Sequence, residues 1–198
     1  NALHQAVIEE NMNSPALILD SAKANLEKRF ARSGDNIKNG MDVSFCCLNK
    51  TTKELTWAGG YNPLWIIRSN SKIDSTHAFV DSVKDESKVS ILNSDDYHLI
   101  EIRADRQPVG KYEYYKPFTN HTIQLFDGDT IYLSSDGYAD QFGGDNGKKL
   151  KSKTFKNLLI DLQLKSMKEQ HSILNKEFIK WKSDFEQIDD VCVFGVKI

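Results

Sequence analysis

The spacing of apolar residues changes from helical to alternating at Met41 and back to helical beyond residue 150. Residues 3–12, LHQAVIEENM, set Leu3, Val7 and Ile8 at helical spacing. A second helix is expected in NSPALILDSAKANLEKRF, with Ser14 as N-cap and Pro15 at the first helical position. Leu17, Ile18, Leu26 and Phe30 would form its buried face. SGDNIKNG is a turn-rich break. Strand patterns follow in MDVSFCCL, in ELTWAG after the hairpin-like loop NKTTK, and in PLWIIRS. Residues 70–95 are rich in Ser, Asp and Lys and read as a variable loop. YHLIEI, HTIQLF and TIYLSS are further strands, and LFDGD carries the Asp-Gly signal of a hairpin between the last two. Past GGDNGKKL one helix is expected over roughly 153–163. Another opens with Ser166 and Glu169 in capping-box spacing, its apolar surface supplied by Ile173, Leu174, Phe178 and Trp181. DDVCVFGVKI closes the chain as a strand in which Val191, Val193 and Val196 predict deep burial. Antiparallel strands with helices before and after them predict an α+β fold of layered sheets flanked by helices. Residues 1–198 are expected to form a single domain.

Composition narrows the function classes. The chain has 198 residues, 39% hydrophobic and 27% charged, and no apolar run long enough to span a bilayer. A formal net charge of −2 gives no basic footprint for nucleic acid. Cys46, Cys47 and Cys192 are expected to be reduced, core or near-core residues of a cytoplasmic protein. No C-x-x-C or H-E-x-x-H spacing suggests zinc. Trp57, Trp65 and Trp181 are expected to pack in the core or at its edges.

Two acid-bearing junctions stand out. Asp136 follows the apolar run Ile131-Tyr132-Leu133 and precedes Gly137. Asp189-Asp190 opens the final strand. Antiparallel neighbours bring the end of one strand beside the start of the other, so these carboxylates could meet at one rim of a sheet. Hard divalent cations favour such oxygen ligands. Gly137 would let a carbonyl or a water approach closely. The competing reading is an ordinary turn in each case. Gly143 and Gly144, after Asp140 and Gln141, can equally serve the backbone alone.

Read together and in order, GMDVSFCCLN, LTWAGGYNPLWII, DRQPVG, GDTIYLSSDGYADQFGG and EQIDDVCVFGV resemble the SpoIIE-type branch of the PPM (type 2C, metal-dependent) serine/threonine phosphatases. The resemblance covers nearly the whole chain from Leu3, which leaves Asn1-Ala2 as a candidate cloning scar. It implies two stacked antiparallel sheets flanked by helices, with a metal centre at one edge. It implies Asp136 and Asp189 as metal-binding, catalytic acids, with Gly137 alongside and Asp190 in a supporting place. The implied cofactors are two Mn²⁺ or Mg²⁺ ions, about 3.5–4 Å apart, that activate a bridging water against a phosphate ester. The implied partners are a phosphorylated regulatory protein, such as an anti-sigma-factor antagonist, and a sensory domain upstream in the parent chain, which could attach it to a membrane.

The sequence departs from the family in one respect. Relatives carry a first acidic motif in a Gly-His-containing loop, and no Gly precedes a His here. The expectation is a C-terminal portion of the catalytic domain, N-terminally truncated and weak or inactive by itself. Edges exposed in that way could pair two copies as a homodimer. The alternatives are a non-catalytic pseudophosphatase that holds a partner and, more remotely, a carboxylate-metal nuclease. Lys148, Lys149, Lys151 and Lys153 could steer an acidic phosphoprotein or simply be solvated.

Overall fold

The computed structural model describes His4, Val7 and residues 12–33, 40–83 and 85–198. Of the expected helix over 3–12, all but His4, Val7 and Met12 therefore lies outside the described residues. The elements are α1 (Pro15–Ser33), β1 (Gly40–Met41), β2 (Val43–Leu48), β3 (Glu54–Gly60), β4 (Leu64–Ser69), α2 (Ile73–Ser82), β5 (Val89–Asn93) and β6 (Tyr97–Ile102). They continue with β7 (Val109–Gly110), β8 (His121–Gln124), β9 (Thr130–Ser134), α3 (Gly137–Asp140), β10 (Phe142–Gly143) and β11 (Lys148–Lys149). The last three are α4 (Ser152–Asp161), α5 (Met167–Lys182) and β12 (Val193–Lys197). The fold is mixed α+β with antiparallel sheets and helices, as expected. Among the described residues, no helix is long and apolar enough to cross a membrane.

Two compact units divide the chain. The first comprises residues 1–64 and 102–126. Its sheet has the order β2-β3-β8, antiparallel throughout, beside the short ribbon β1-β7. Ala16, Leu19 and Ala22 on α1 pack with Ala58, Val109 and Phe118, and Leu26 adds to the edge of that cluster. Pro15 opens α1 as expected and Ser14 stands at the N-cap position, its carbonyl accepting from Ile18 N–H at 3.0 Å while its hydroxyl donates to Asn120 Oδ1 at 3.2 Å. Leu17 is 56% exposed, because the face turned inward is that of Ala16, Leu19 and Ala22.

The second unit comprises residues 65–101 and 127–198. Its sheet runs β12-β9-β4-β6-β5. Trp65, Ile67, Leu99 and Tyr132 join Tyr138, Phe155, Leu159, Leu174 and Phe178 in its core. The capping box forms: Glu169 N–H donates to Ser166 Oγ, and Ser166 N–H donates back to the Glu169 carboxylate.

Four more expectations change. Residues 70–95 are not a loop, since they hold α2 and β5. LFDGD does not close a hairpin, because β8 and β9 belong to different sheets. Val191, Val193 and Val196 are only half-buried, because β12 is an edge strand. Cys47 and Cys192 are exposed, and all three cysteines are free. Trp57 and Trp65 are buried as expected, whereas Trp181 is half-buried.

Candidate acidic rim

β9 crosses the core with Ile131 and Tyr132 buried, and the chain surfaces at Asp136, the N-cap residue of α3. Tyr138 anchors this short turn. Its ring stacks on Phe155 with centroids 4.1 Å apart, and its hydroxyl donates to the Leu174 carbonyl at 2.9 Å. Burial, with Glu177 nearby, pushes the Tyr138 phenol up to about 12, so it stays a proton donor at neutral pH. Asp136 makes no side-chain capping bond and is exposed, so its carboxylate is not consumed by the helix it precedes.

β12 pairs antiparallel with β9 in the register Val193↔Ser134. One step further, Ser135 N–H donates to the Cys192 carbonyl at 3.0 Å. There the Ser135 side chain takes over. Its hydroxyl accepts from Cys192 N–H at 2.9 Å and donates to the Asp190 carbonyl at 2.8 Å. Gly137 completes the approach, since a Cβ there would stand 2.4 Å from the Asp190 carbonyl oxygen. The structure thus brings the Asp136 turn and the Asp189-Asp190 segment to one rim of one sheet. Asp189 is exposed, and its carboxylate accepts from Asp190 N–H at 2.8 Å.

The glycines that follow have backbone reasons. A Cβ on Gly143 would lie 1.9 Å from the Trp181 carbonyl oxygen. Phe142-Gly143 and Lys148-Lys149 form a ribbon that was not foreseen, in which Lys149 Nζ pairs with Asp140 at 2.5 Å. Lys149 is therefore engaged within the chain, while Lys148, Lys151 and Lys153 are exposed.

Among the described residues, no three His, Cys, Asp or Glu side chains form a group able to hold a metal ion. The rim offers something less. Asp136 and Asp189 are exposed oxygen donors on segments held together by Ser135 and Gly137, a donor chemistry that suits a hard divalent cation. The residues present fit part of such a site rather than a whole one.

The family profile described as Stage II sporulation protein E (SpoIIE) matches residues 85–198, more than half of the chain. No curated protein sequence matches. Among solved structures, the SiaA-PP2C domain of Pseudomonas aeruginosa is similar at a TM-score of 0.77 and 20% identity, over 100% of this chain and 66% of that one. The Mn-presoaked phosphatase domain of SpoIIE from Bacillus subtilis is similar at 0.52 and 14%, over 99% and 71%. The serine/threonine phosphatase PstP/Ppp of Mycobacterium tuberculosis is similar at 0.53 and 13%, over 97% and 77%. At these identities the likeness shows the fold. The chain spans about two thirds of the length of the first two.

Proposed function

The chain belongs to the SpoIIE family, whose solved neighbours are PP2C-type phosphatase domains, and from that premise we propose that it forms the C-terminal part of a metal-dependent phosphoserine/phosphothreonine phosphatase domain. The observation that carries this reading is the meeting of Asp136 and the Asp189-Asp190 segment through the Ser135 hydroxyl and the bare Gly137 backbone. Asp136 and Asp189 would hold a divalent ion, Mn²⁺ or Mg²⁺. When bound, that ion supplies an acidified water and neutralises phosphoryl charge. Ser135 and Gly137 set the spacing of the two acid segments, and the Tyr138 anchor keeps the Asp136 turn on the core. Further acids of the full domain would join Asp136 and Asp189 to complete the set; the chain spans 66% of the SiaA domain. The substrate is a phosphorylated regulatory protein whose phosphate sits on an accessible segment.

The test compares the 198-residue chain with the full-length parent on para-nitrophenyl phosphate and a phosphoserine peptide, each with and without Mn²⁺. The parent should turn over both, and Asp136→Asn should reduce its kcat by at least about 100-fold. The 198-residue chain should show little or no turnover. Efficient Mn²⁺-dependent turnover by the short chain would overturn the shared acid set. No turnover by the parent, with binding to the peptide retained, would make the domain a pseudophosphatase.

A further inference from the structure

Asp189 lies in a stretch, residues 183–192, that has no helix or strand. Something else must fix its position. On one side of Asp189 the Ser135 hydroxyl grips the Asp190 carbonyl. On the other side a second residue reaches the same stretch. We infer that Gln141 is a positioning residue, a buried clamp that fixes the Asp189-bearing segment against the Asp136 turn.

Gln141 follows α3 directly and is 1% exposed. Its Nε2 donates to the Glu186 carbonyl at 3.0 Å and to the Phe142 carbonyl at 2.9 Å. Its own backbone carbonyl accepts from Trp181 Nε1 at 2.9 Å and from Leu150 N–H at 3.1 Å. One residue therefore joins the turn after Asp136, the end of α5, the chain leaving the β10-β11 ribbon, and the segment leading to Asp189. The amide orientation follows from its partners: a flipped amide would set its oxygen against two carbonyl oxygens. Its Oε1 has no hydrogen-bond partner. Gln141 keeps that unpaired oxygen in the interior while both Nε2 protons bind carbonyls. An apolar side chain of similar size would avoid the desolvation of Oε1, so the two donated bonds are the feature that calls for an amide here.

From Glu186 the hold passes along the chain. Gln187 Nε2 donates to the Asp189 carbonyl at 2.8 Å, and Asp190 N–H donates to the Asp189 carboxylate at 2.8 Å. The segment is thus tied within itself and fastened at both ends, by Gln141 at Glu186 and by Ser135 at Asp190. Loss of either fastening frees Asp189 relative to Asp136 without touching either carboxylate. The role assigned to Asp189 rests on the function proposed above; the clamp itself does not.

The experiment is amide hydrogen exchange on the 198-residue chain, wild type against Gln141→Leu. Protection should fall at least tenfold at Asp190 and Cys192, the hydrogen-bonded amides of this segment, and stay within twofold in β9 and α4. Unchanged exchange at Asp190 and Cys192 would overturn the clamp, and so would an equal loss across β9 and α4, because that reports general destabilisation. If Gln141→Leu does not fold, wild-type NMR decides: the Gln141 side-chain amide protons should exchange at least 100-fold more slowly than exposed glutamine amides. Exchange at the exposed rate would overturn the proposal. Mn²⁺ titration of the full-length parent carrying Gln141→Leu then separates clamp from site. Altered exchange with weakened Mn²⁺ binding supports both. Altered exchange with unchanged Mn²⁺ binding keeps the clamp and removes Asp189 from the metal site.

Discussion

The two ends of β9 each bear an aspartate, and their surroundings are opposite. Asp129, just before the strand, is 1% exposed. Arg68 grips it with Nε at 3.1 Å from both carboxylate oxygens and Nη2 at 2.7 Å from one. Arg68 Nη1 reaches Thr76 Oγ1 at 3.3 Å, Thr76 Oγ1 meets His98 Nε2 at 2.8 Å, and His98 Nδ1 meets Asn70 Oδ1 at 2.9 Å. Asn70 spends its own amide protons on the Ser94 and Asp95 carbonyls. The partners fix the tautomer: His98 Nδ1 carries the proton, and Nε2 accepts from Thr76. At the far end, Asp136 is exposed and caps nothing. One acid is consumed by the fold, and the other is left exposed at the rim. Residue type and position next to a strand do not separate them; hydrogen-bond accounting does.

The sharpest way to break this contrast is to remove each acid in turn. Asp129→Ala strands a guanidinium in the core and should cost about 3–5 kcal/mol in urea unfolding. Asp136→Asn should change stability by less than about 0.5 kcal/mol. Similar costs at the two sites would dissolve the distinction.

A smaller effect should come from His98. Burial, and then the Arg68 charge, depress its pKa to about 4. The native state therefore binds fewer protons than the unfolded chain between that value and the ordinary histidine value of about 6.5. Stability contributed by neutral His98 is fully present above about 6.5 and is lost as pH falls toward 4, by about 3 kcal/mol in total. His98→Gln should flatten the fall in unfolding free energy measured from pH 7 to pH 4. An unchanged slope would place the acid sensitivity elsewhere.

The smallest of the three effects sharpens the exposed end. Gly137→Ala presses a methyl group against the Asp190 carbonyl, which the bare backbone leaves room for. It should cost about 1–3 kcal/mol in thermal unfolding. It should also raise amide exchange at Cys192, whose N–H depends on Ser135 Oγ. A neutral result would mean that the 189–192 segment yields freely.

The exposed end was legible in the sequence because it carries a motif: an apolar strand, then Asp136-Gly137, with a matching acid pair before the last strand. The capping box of α5 was legible for a similar reason, since its two partners are three residues apart. The buried end was not. The only fully buried side chain described on α2 is Thr76, which is polar and turned toward Arg68 and His98, while Ile73, Phe79 and Val80 stay half-buried, so the apolar stripe is weak. Its segment, rich in Ser and Asp, therefore reads as a loop. Gln141 escaped for a related reason: its partners are backbone carbonyls, and one of them is 45 residues away. β12 misled in the other direction. Valines in an alternating run signal a buried strand, but an edge position leaves them half-covered.

Gly143 carries a genetic corollary. What a methyl group at 143 would strike is the Trp181 carbonyl oxygen, an atom that every amino acid at 181 retains. No exchange at position 181 can act as its suppressor. Compensation would have to come from displacing the last turn of α5, and that turn also carries the indole N–H bound to the Gln141 carbonyl. In a mutational library, a side chain at 143 should therefore be rescued only by changes that shift the last turn of α5, never by a change at 181 alone.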